Sequence, residues 1–330
     1  MLEYRHNLLT DQWVIIAAKR DDRPQSFTAP DNSTEIKIDP ACPFCLGNEH
    51  LTATPVYLFE KDSQWLVRVI PNKFPFLNRT RQNYQQTDNT SYLAEPADGI
   101  HEVLIESNKH SDHLAIIDYS HALEIIKALQ SRCRDMLTTM GIGHVCIFKN
   151  HGRDAGASLV HPHFQIAAAS LISPVITARL LHCQQFIKDK GISTYQAVIQ
   201  EEINADKRII TQDKDFIIFC PYASQYPYEV CILPMTEIAD FSLLTKELTE
   251  KLTANIQTIL KKLYRGLNNP PYNIIIDTVP NCHNPAITQG FRFMVRICPR
   301  ITPVGGYETA TSTYVNTTSP EAATDFFQSI

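Results

Sequence analysis

The chain has 330 residues, 44% of them hydrophobic and 20% charged, and a formal net charge of −5. That describes a globular protein with room for two ordinary domains or one duplicated unit; the negative balance gives no basis for wholesale binding of nucleic acid or an anionic membrane. Nine cysteines are too few and too scattered for a disulfide framework, no signal peptide follows Met1, and no apolar run nears the ~20 residues of a membrane span, so a soluble cytoplasmic protein is expected.

From the start of the chain, Trp13 to Ala18 predicts a strand running into a basic loop that ends at Arg23-Pro24. Residues 21–40 are polar and proline-containing, which reads as a long surface loop. Cys42-Pro43-Phe44-Cys45 comes next, then a strand around Trp65 to Ile70 and a turn from Pro71 to Pro75. Residues 80–97 are poor in apolar side chains and predict a second open loop. His101 to Glu106 alternates like a strand, and Ser120 to Thr138 spaces Leu123, Ile126, Leu129 and Met136 as an amphipathic helix would. His144 to Lys149 predicts a strand, a turn of small residues follows, and the chain from His161 to Ala168 continues extended.

The second half repeats that order. Asp215 to Tyr222 answers Gln64 to Asn72, and Tyr228 to Pro234 answers His101 to Glu106. Phe241 to Leu263 is again helical, and strands at Tyr272 to Asp277 and Phe291 to Ile297 answer those at 144–149 and 161–167. The predicted fold is therefore α+β, two tandem related halves of mostly antiparallel sheet with packed helices, divided as 1–172 and 173–330.

The segment Asn150 to Gln165 carries the sharpest chemical signal. Gly156, Ala157 and Ser158 let a ligand approach the backbone closely, and their N–H groups with the Ser158 hydroxyl suit a phosphate. Beyond them, strand alternation puts His161, His163 and Gln165 on one face, each ~7 Å from the next. A neutral imidazole is a good nucleophile near pH 7, and its phosphoramidate is reactive enough to hand a group on. Cys42 and Cys45 have the spacing of a metal knuckle, for which two buried structural thiols are the alternative. The missing ligands are expected to be histidines: His161, with either His110 or His113.

Together these motifs resemble the galactose-1-phosphate uridylyltransferase family, a branch of the histidine-triad superfamily that also contains ADP-glucose phosphorylase. The resemblance runs from Arg23-Pro24 through Cys42 to Cys45, Pro71-Asn72, His101 to Ser107, Asn150 to Gln165 and Tyr226 to Val230, ending at Gly306-Tyr307-Glu308. It implies two histidine-triad-like halves, with His163 as the nucleophile that takes up a nucleoside monophosphate and Gln165 bonded to the transferred phosphoryl group. It implies one structural zinc per chain on Cys42, Cys45, His110 and His161, with His113 in reserve to His110. It further implies nucleotide and phosphate contacts from Arg23, Asn72, Asn150, Gly156 and Ser158, and sugar contacts from Tyr307 and Glu308. The implied partners are a nucleotide sugar and a sugar phosphate, and the implied assembly is a homodimer.

On that resemblance the leading function is transfer of UMP from UDP-glucose to a hexose 1-phosphate, as in galactose metabolism. A nucleotide-sugar or dinucleotide phosphorylase is the alternative, and a non-catalytic nucleotide-binding protein the third reading. Two departures stand out. Some members carry a second metal on a Cys-x-x-Cys, a His after the Leu-Pro turn and a His on the last strand. This chain has no cysteine from Ser193 to Gln196, has Glu237 after Leu233-Pro234, and has no His from Phe291 to Met294. The glycine-rich stretch expected after Tyr307-Glu308 reads Thr309-Ala310-Thr311-Ser312, which alters the acceptor sugar site.

Overall fold

The computed structural model describes residues 2–18, 38–79, 92, 94–281 and 285–330. Arg23 lies outside them, as does most of both predicted open loops. In chain order the strands of the main sheet are β3 (Tyr57–Lys61), β4 (Gln64–Pro71), β5 (Gly99–Ile105), β6 (His144–His151) and β7 (His163–Ala169), then β8 (Ile209–Gln212), β9 (Phe216–Phe219), β10 (Val230–Pro234), β11 (Tyr272–Asp277) and β12 (Met294–Pro299). Before them, β1 (Leu2–Asn7) and β2 (Gln12–Ala17) form a hairpin that pairs in parallel with the short β13 (Val315–Asn316).

The ten-stranded sheet runs β3-β4-β5-β7-β6-β11-β12-β10-β9-β8, with every neighbour antiparallel. Counted inward from each edge, the order is the same in both halves. They meet where β6 pairs with β11, from Tyr272 opposite His151 to Asp277 opposite Cys146. The two halves predicted from sequence are present and share one continuous ten-stranded sheet, because the inner strand of each finds its open edge filled by the other.

Two long helices, α1 (Tyr119–Leu137) and α4 (Lys246–Gly266), cover one face. The buried residues of α1 recur at Ala122, Ile125, Ile126, Leu129, Cys133 and Met136, a helical stripe. Leu123, expected on that stripe, lies beside it and is only partly buried. These side chains share one core with Leu104, Ile147, Phe164 and Ile166 of the first half and Val230, Ile274, Ile276 and Val295 of the second.

The opposite face is treated differently in each half. Over the second, α2 (Pro174–Lys190) and α3 (Thr194–Ala205), neither of them predicted, pack Ile176, Leu180, Tyr195 and Ile199 onto Ile217, Phe219, Cys231 and Met294. Over the first, the loop around Cys42 and Cys45 lays Phe44 against Ile70, Val103 and Ile105. Three further helices, α5 (Pro285–Thr288), α6 (Gly306–Thr311) and α7 (Pro320–Ser329), follow late in the chain. No helix among the described residues is long and apolar enough to cross a membrane.

Candidate active site

The stretch after β6 is shaped by two glycines in left-handed conformation, Gly152 (φ +81°) and Gly156 (φ +86°), a region that L side chains rarely adopt. Between them the backbone closes on itself: Ala155 N–H and Ala157 N–H donate to the Gly152 carbonyl, and Gly156 N–H donates to Arg153. This corrects the expectation from sequence. The N–H groups of Gly156 and Ala157 are spent on the turn and are not free to meet a phosphate. Ser158 is exposed, and among the described residues its N–H and hydroxyl are uncommitted.

His163 opens β7, opposite Ile105 of β5. One residue beyond the Lys149–Phe164 pair, the register of β6 with β7 puts Asn150 beside His163 on the same face. Nδ1–H of His163 donates to the His161 carbonyl at 2.8 Å. That leaves the lone pair on Nε2. Burial is the main influence holding the imidazole below its ordinary pKa, so it is neutral at pH 7. Phe44 packs its ring 5.5 Å from that of His163 and 5.9 Å from that of His161.

Gln165 follows on the same face. Its Oε1 accepts Nε2–H of His101 at 2.9 Å, which leaves the amide nitrogen as a donor. Nδ1 of His101 accepts Phe76 N–H at 3.4 Å, and the Nδ2 of Asn72 lies against the ring edge, 3.2 Å from Nε2 and 3.5 Å from Nδ1. Asn72, His101 and Gln165 thus form one chain across β4, β5 and β7. His101 was not singled out from sequence, although alternation with Val103 and Ile105 places it on this face. Behind the sheet, Lys149 and Glu106 form a fully buried ion pair.

Cys42, Cys45, His110 and His161 are all buried, and their ligand atoms lie within 4.8 Å of one another. Nδ1 of His161 is 3.7 Å from Cys42 Sγ and 3.6 Å from Cys45 Sγ, and Nδ1 of His110 is 3.3 Å from Cys45 Sγ. Sulfur and nitrogen on a tetrahedral zinc stand about 3.6 Å apart, given bonds of about 2.3 and 2.1 Å. Nε2–H of His161 donates to the Ser107 carbonyl at 2.8 Å, which turns Nδ1 toward the thiols. Burial, then the neighbouring Cys45, pushes the Cys42 thiol up to about 11, a cost that a bound cation would reverse. The four residues fit one zinc. His113 is not among them: it packs against His151 and Tyr264 on the helix side of the sheet.

The remaining candidates stand apart. Tyr307 is exposed on α6 and shares a hydrogen bond with Tyr4 of β1. Glu308 caps its own helix by accepting Gly305 N–H at 3.0 Å. At the positions compared with a second metal site, Ser193 caps α3 and Glu237 accepts Gly290 N–H. Buried Arg292 donates to Gln196 Oε1 and to the Pro234 and Met235 carbonyls. A guanidinium has no lone pair to offer, so these residues do not fit a second metal. A cavity of about 330 Å³ under α2 and α3 is lined by Arg179, Glu202, Tyr222, Glu229 and Arg296 and includes no residue of the His163 cluster.

Residues 1–189 match the family model for the N-terminal domain of galactose-1-phosphate uridyl transferase. ADP-glucose phosphorylase of Arabidopsis thaliana is 30% identical over 322 residues, covering 97% of this chain and 90% of that protein. Galactose-1-phosphate uridylyltransferase of Thermotoga maritima is 23% identical over 330 residues, covering 98% of this chain and 96% of the relative. A crystal structure of the Arabidopsis ADP-glucose phosphorylase with bound ADP-glucose superimposes with a TM-score of 0.86 at 28% identity, covering 100% of this chain and 99% of that one. With the His163 cluster, the metal cluster and a family match over more than half of its length, the chain belongs to the galactose-1-phosphate uridylyltransferase family.

Proposed function

We propose that the chain transfers a nucleoside monophosphate from a nucleotide sugar to a phosphate acceptor through a nucleotidyl-His163 intermediate. Nε2 of His163 attacks the α-phosphorus, the bond from that phosphorus to the bridging oxygen breaks, and hexose 1-phosphate leaves. An acceptor oxygen then attacks the same phosphorus, and the nitrogen–phosphorus bond breaks. The observation that carries this reading is the pairing of two fixed groups: an imidazole with its lone pair on Nε2, and Gln165 with its oxygen held by His101. The Gln165 amide, Ser158 and Asn72 then supply donors for the charge that grows on the phosphoryl oxygens.

For the acceptor, inorganic phosphate is the better reading, with ADP-glucose as donor and a nucleoside diphosphate as product. It is supported by the likeness to ADP-glucose phosphorylase over nearly the whole chain and by the changed segment from Thr309 to Ser312. Transfer of UMP from UDP-glucose to a hexose 1-phosphate is the second reading, supported by the family model and the Thermotoga relative.

In the proposal, Cys42, Cys45, His110 and His161 hold one zinc ion, which supplies a fixed tetrahedral anchor and takes no part in a reaction step. The division falls at 172/173, the first part carrying the nucleophile. A homodimer is proposed by likeness to the family, with Tyr307 and Glu308 as sugar contacts.

Incubating the protein with ADP-glucose or UDP-glucose, and with inorganic phosphate or galactose 1-phosphate, tests the acceptor by chromatography of the products. ADP formed from ADP-glucose and phosphate supports the first reading. UDP-galactose formed from UDP-glucose replaces it with the second. No turnover in any combination would leave a nucleotide-binding protein.

A further inference from the structure

The turn after β6 is braced by the half of the molecule that carries no nucleophile. Asn273 of β11 stands directly opposite Asn150 of β6. Its amide nitrogen donates twice, to Asn150 Oδ1 at 2.9 Å and to the Ala155 carbonyl at 2.8 Å. The Asn150 nitrogen in turn donates to the Gly156 carbonyl at 3.2 Å. The neighbours of Asn273 hold the same segment. Pro271 lies so close that a Cβ on Gly152 would meet its Cβ at 3.0 Å, and the Tyr272 ring stacks on His151 at 4.5 Å.

An amide has two N–H donors and one carbonyl, and that count decides the orientation of both side chains. With Asn273 giving its two N–H groups to Ala155 and Asn150, the Asn150 oxygen is committed. The Asn150 nitrogen keeps one N–H beyond the one given to Gly156. Reversing Asn150 would set nitrogen against nitrogen at Asn273 and oxygen against oxygen at Gly156. Asn150 stands beside His163, so its orientation decides whether a donor or an acceptor faces an incoming phosphate. A donor attracts the anion; a carbonyl repels it.

We propose that Asn273 is a positioning residue for the transfer reaction. It fixes the Asn150 amide so that an N–H is presented to the transferred phosphoryl group, and it holds the turn at 152–156 in place. This rests on the nucleotidyl-transfer reading above and gives the second half a part in the reaction: it orients what the first half uses.

The test measures the rate at which ADP-glucose loads the protein, by quenched-flow intact mass at saturating and at limiting sugar. Asn273→Asp has the same shape but no donors, and Asn273→Ser keeps one donor should the aspartate variant fold poorly. The expected result is a fall of about 10- to 100-fold in the saturated loading rate for Asn273→Asp, given that loss of one transition-state donor costs about 100- to 1000-fold and this loss acts through a second residue. The melting temperature should stay near that of the native chain. Because Asn273 acts largely through Asn150, Asn273→Asp should slow the Asn150→Ala protein much less than it slows the native chain.

A folded Asn273→Asp protein that loads at the native rate overturns the proposal, as does a double variant whose losses simply add. A native protein that never loads sinks the transfer reading itself, and with it the reaction role of Asn273. Hydrogen exchange at 152–156 is the separate check on bracing: faster exchange in Asn273→Asp supports it, and unchanged exchange overturns it.

Discussion

At the scale of single residues, the side chains that do the chemistry in this account are held by others that fix their protonation and direction. His163 gives Nδ1–H to the backbone of His161, and Gln165 gives its oxygen to His101. Replacing His101 by Phe keeps ring volume and burial while freeing the Gln165 amide to turn its oxygen to the phosphate. Nucleotidyl transfer should then fall by about 10-fold or more with little loss of stability; a folded His101→Phe protein of native activity would show that Gln165 needs no such partner. The contrast between His163 and His101 shows what sequence conveys at this scale. His-Pro-His with Gln165 declares its chemistry by spacing along one strand. The His101 contact depends on how β5 is registered against β7, and the inward N–H groups of Gly156 and Ala157 depend on a turn closing on itself; neither is written in residue type.

At the scale of elements, the loop from Cys42 to Cys45 joins the metal cluster to the nucleophile. Phe44, between the two cysteines, packs on the His163 ring, and the carbonyl that fixes the His163 tautomer belongs to the ligand His161. Stripping metal with a chelator should therefore lower the melting temperature by about 10 °C or more and slow loading of His163. Cys45→Ser should reproduce both effects. A chelated protein that melts as before would contradict a structural metal.

The elements differ in how plainly they can be read. The helix at α1 is legible because its buried positions recur every three or four residues. Helix α2 is not, because Arg179 sits in its buried stripe between Ile176 and Leu180, paired with Asp277 of β11; a charged residue there hides the pattern until its partner is known.

At the scale of the whole molecule, the repeat was legible and the union of its halves was not. Strand order repeats along the chain, whereas the pairing of β6 with β11 requires two segments far apart in sequence to meet. That union encloses a polar group on the helix side of the sheet. His113 and His151 are packed there against Lys149 of β6, Glu106 after β5, Tyr264 of α4 and Tyr272 of β11. Burial, with Lys149 nearby, pushes both imidazoles down from 6.5 to about 3.

The consequence is acid lability. As pH falls below 6.5 the unfolded chain takes up these protons and the folded chain does not, so stability present above 6.5 is lost progressively down to about 3. Each histidine contributes about 1.4 kcal/mol per pH unit over that range, or about 4 kcal/mol for the pair at pH 5. Urea midpoints at pH 7 and pH 5 measure the loss. A double His113→Gln and His151→Gln variant should show a shallower decline, and an unchanged slope would assign the lability elsewhere.

The central claim is that His163 carries a nucleotidyl group, and the most direct test is intact mass after brief mixing with ADP-glucose, and separately with UDP-glucose, for the native chain and His163→Ala. The account predicts a gain of one nucleoside monophosphate on the native chain alone, larger with ADP-glucose. An adduct on His163→Ala, or none on the native chain with either sugar, would contradict it.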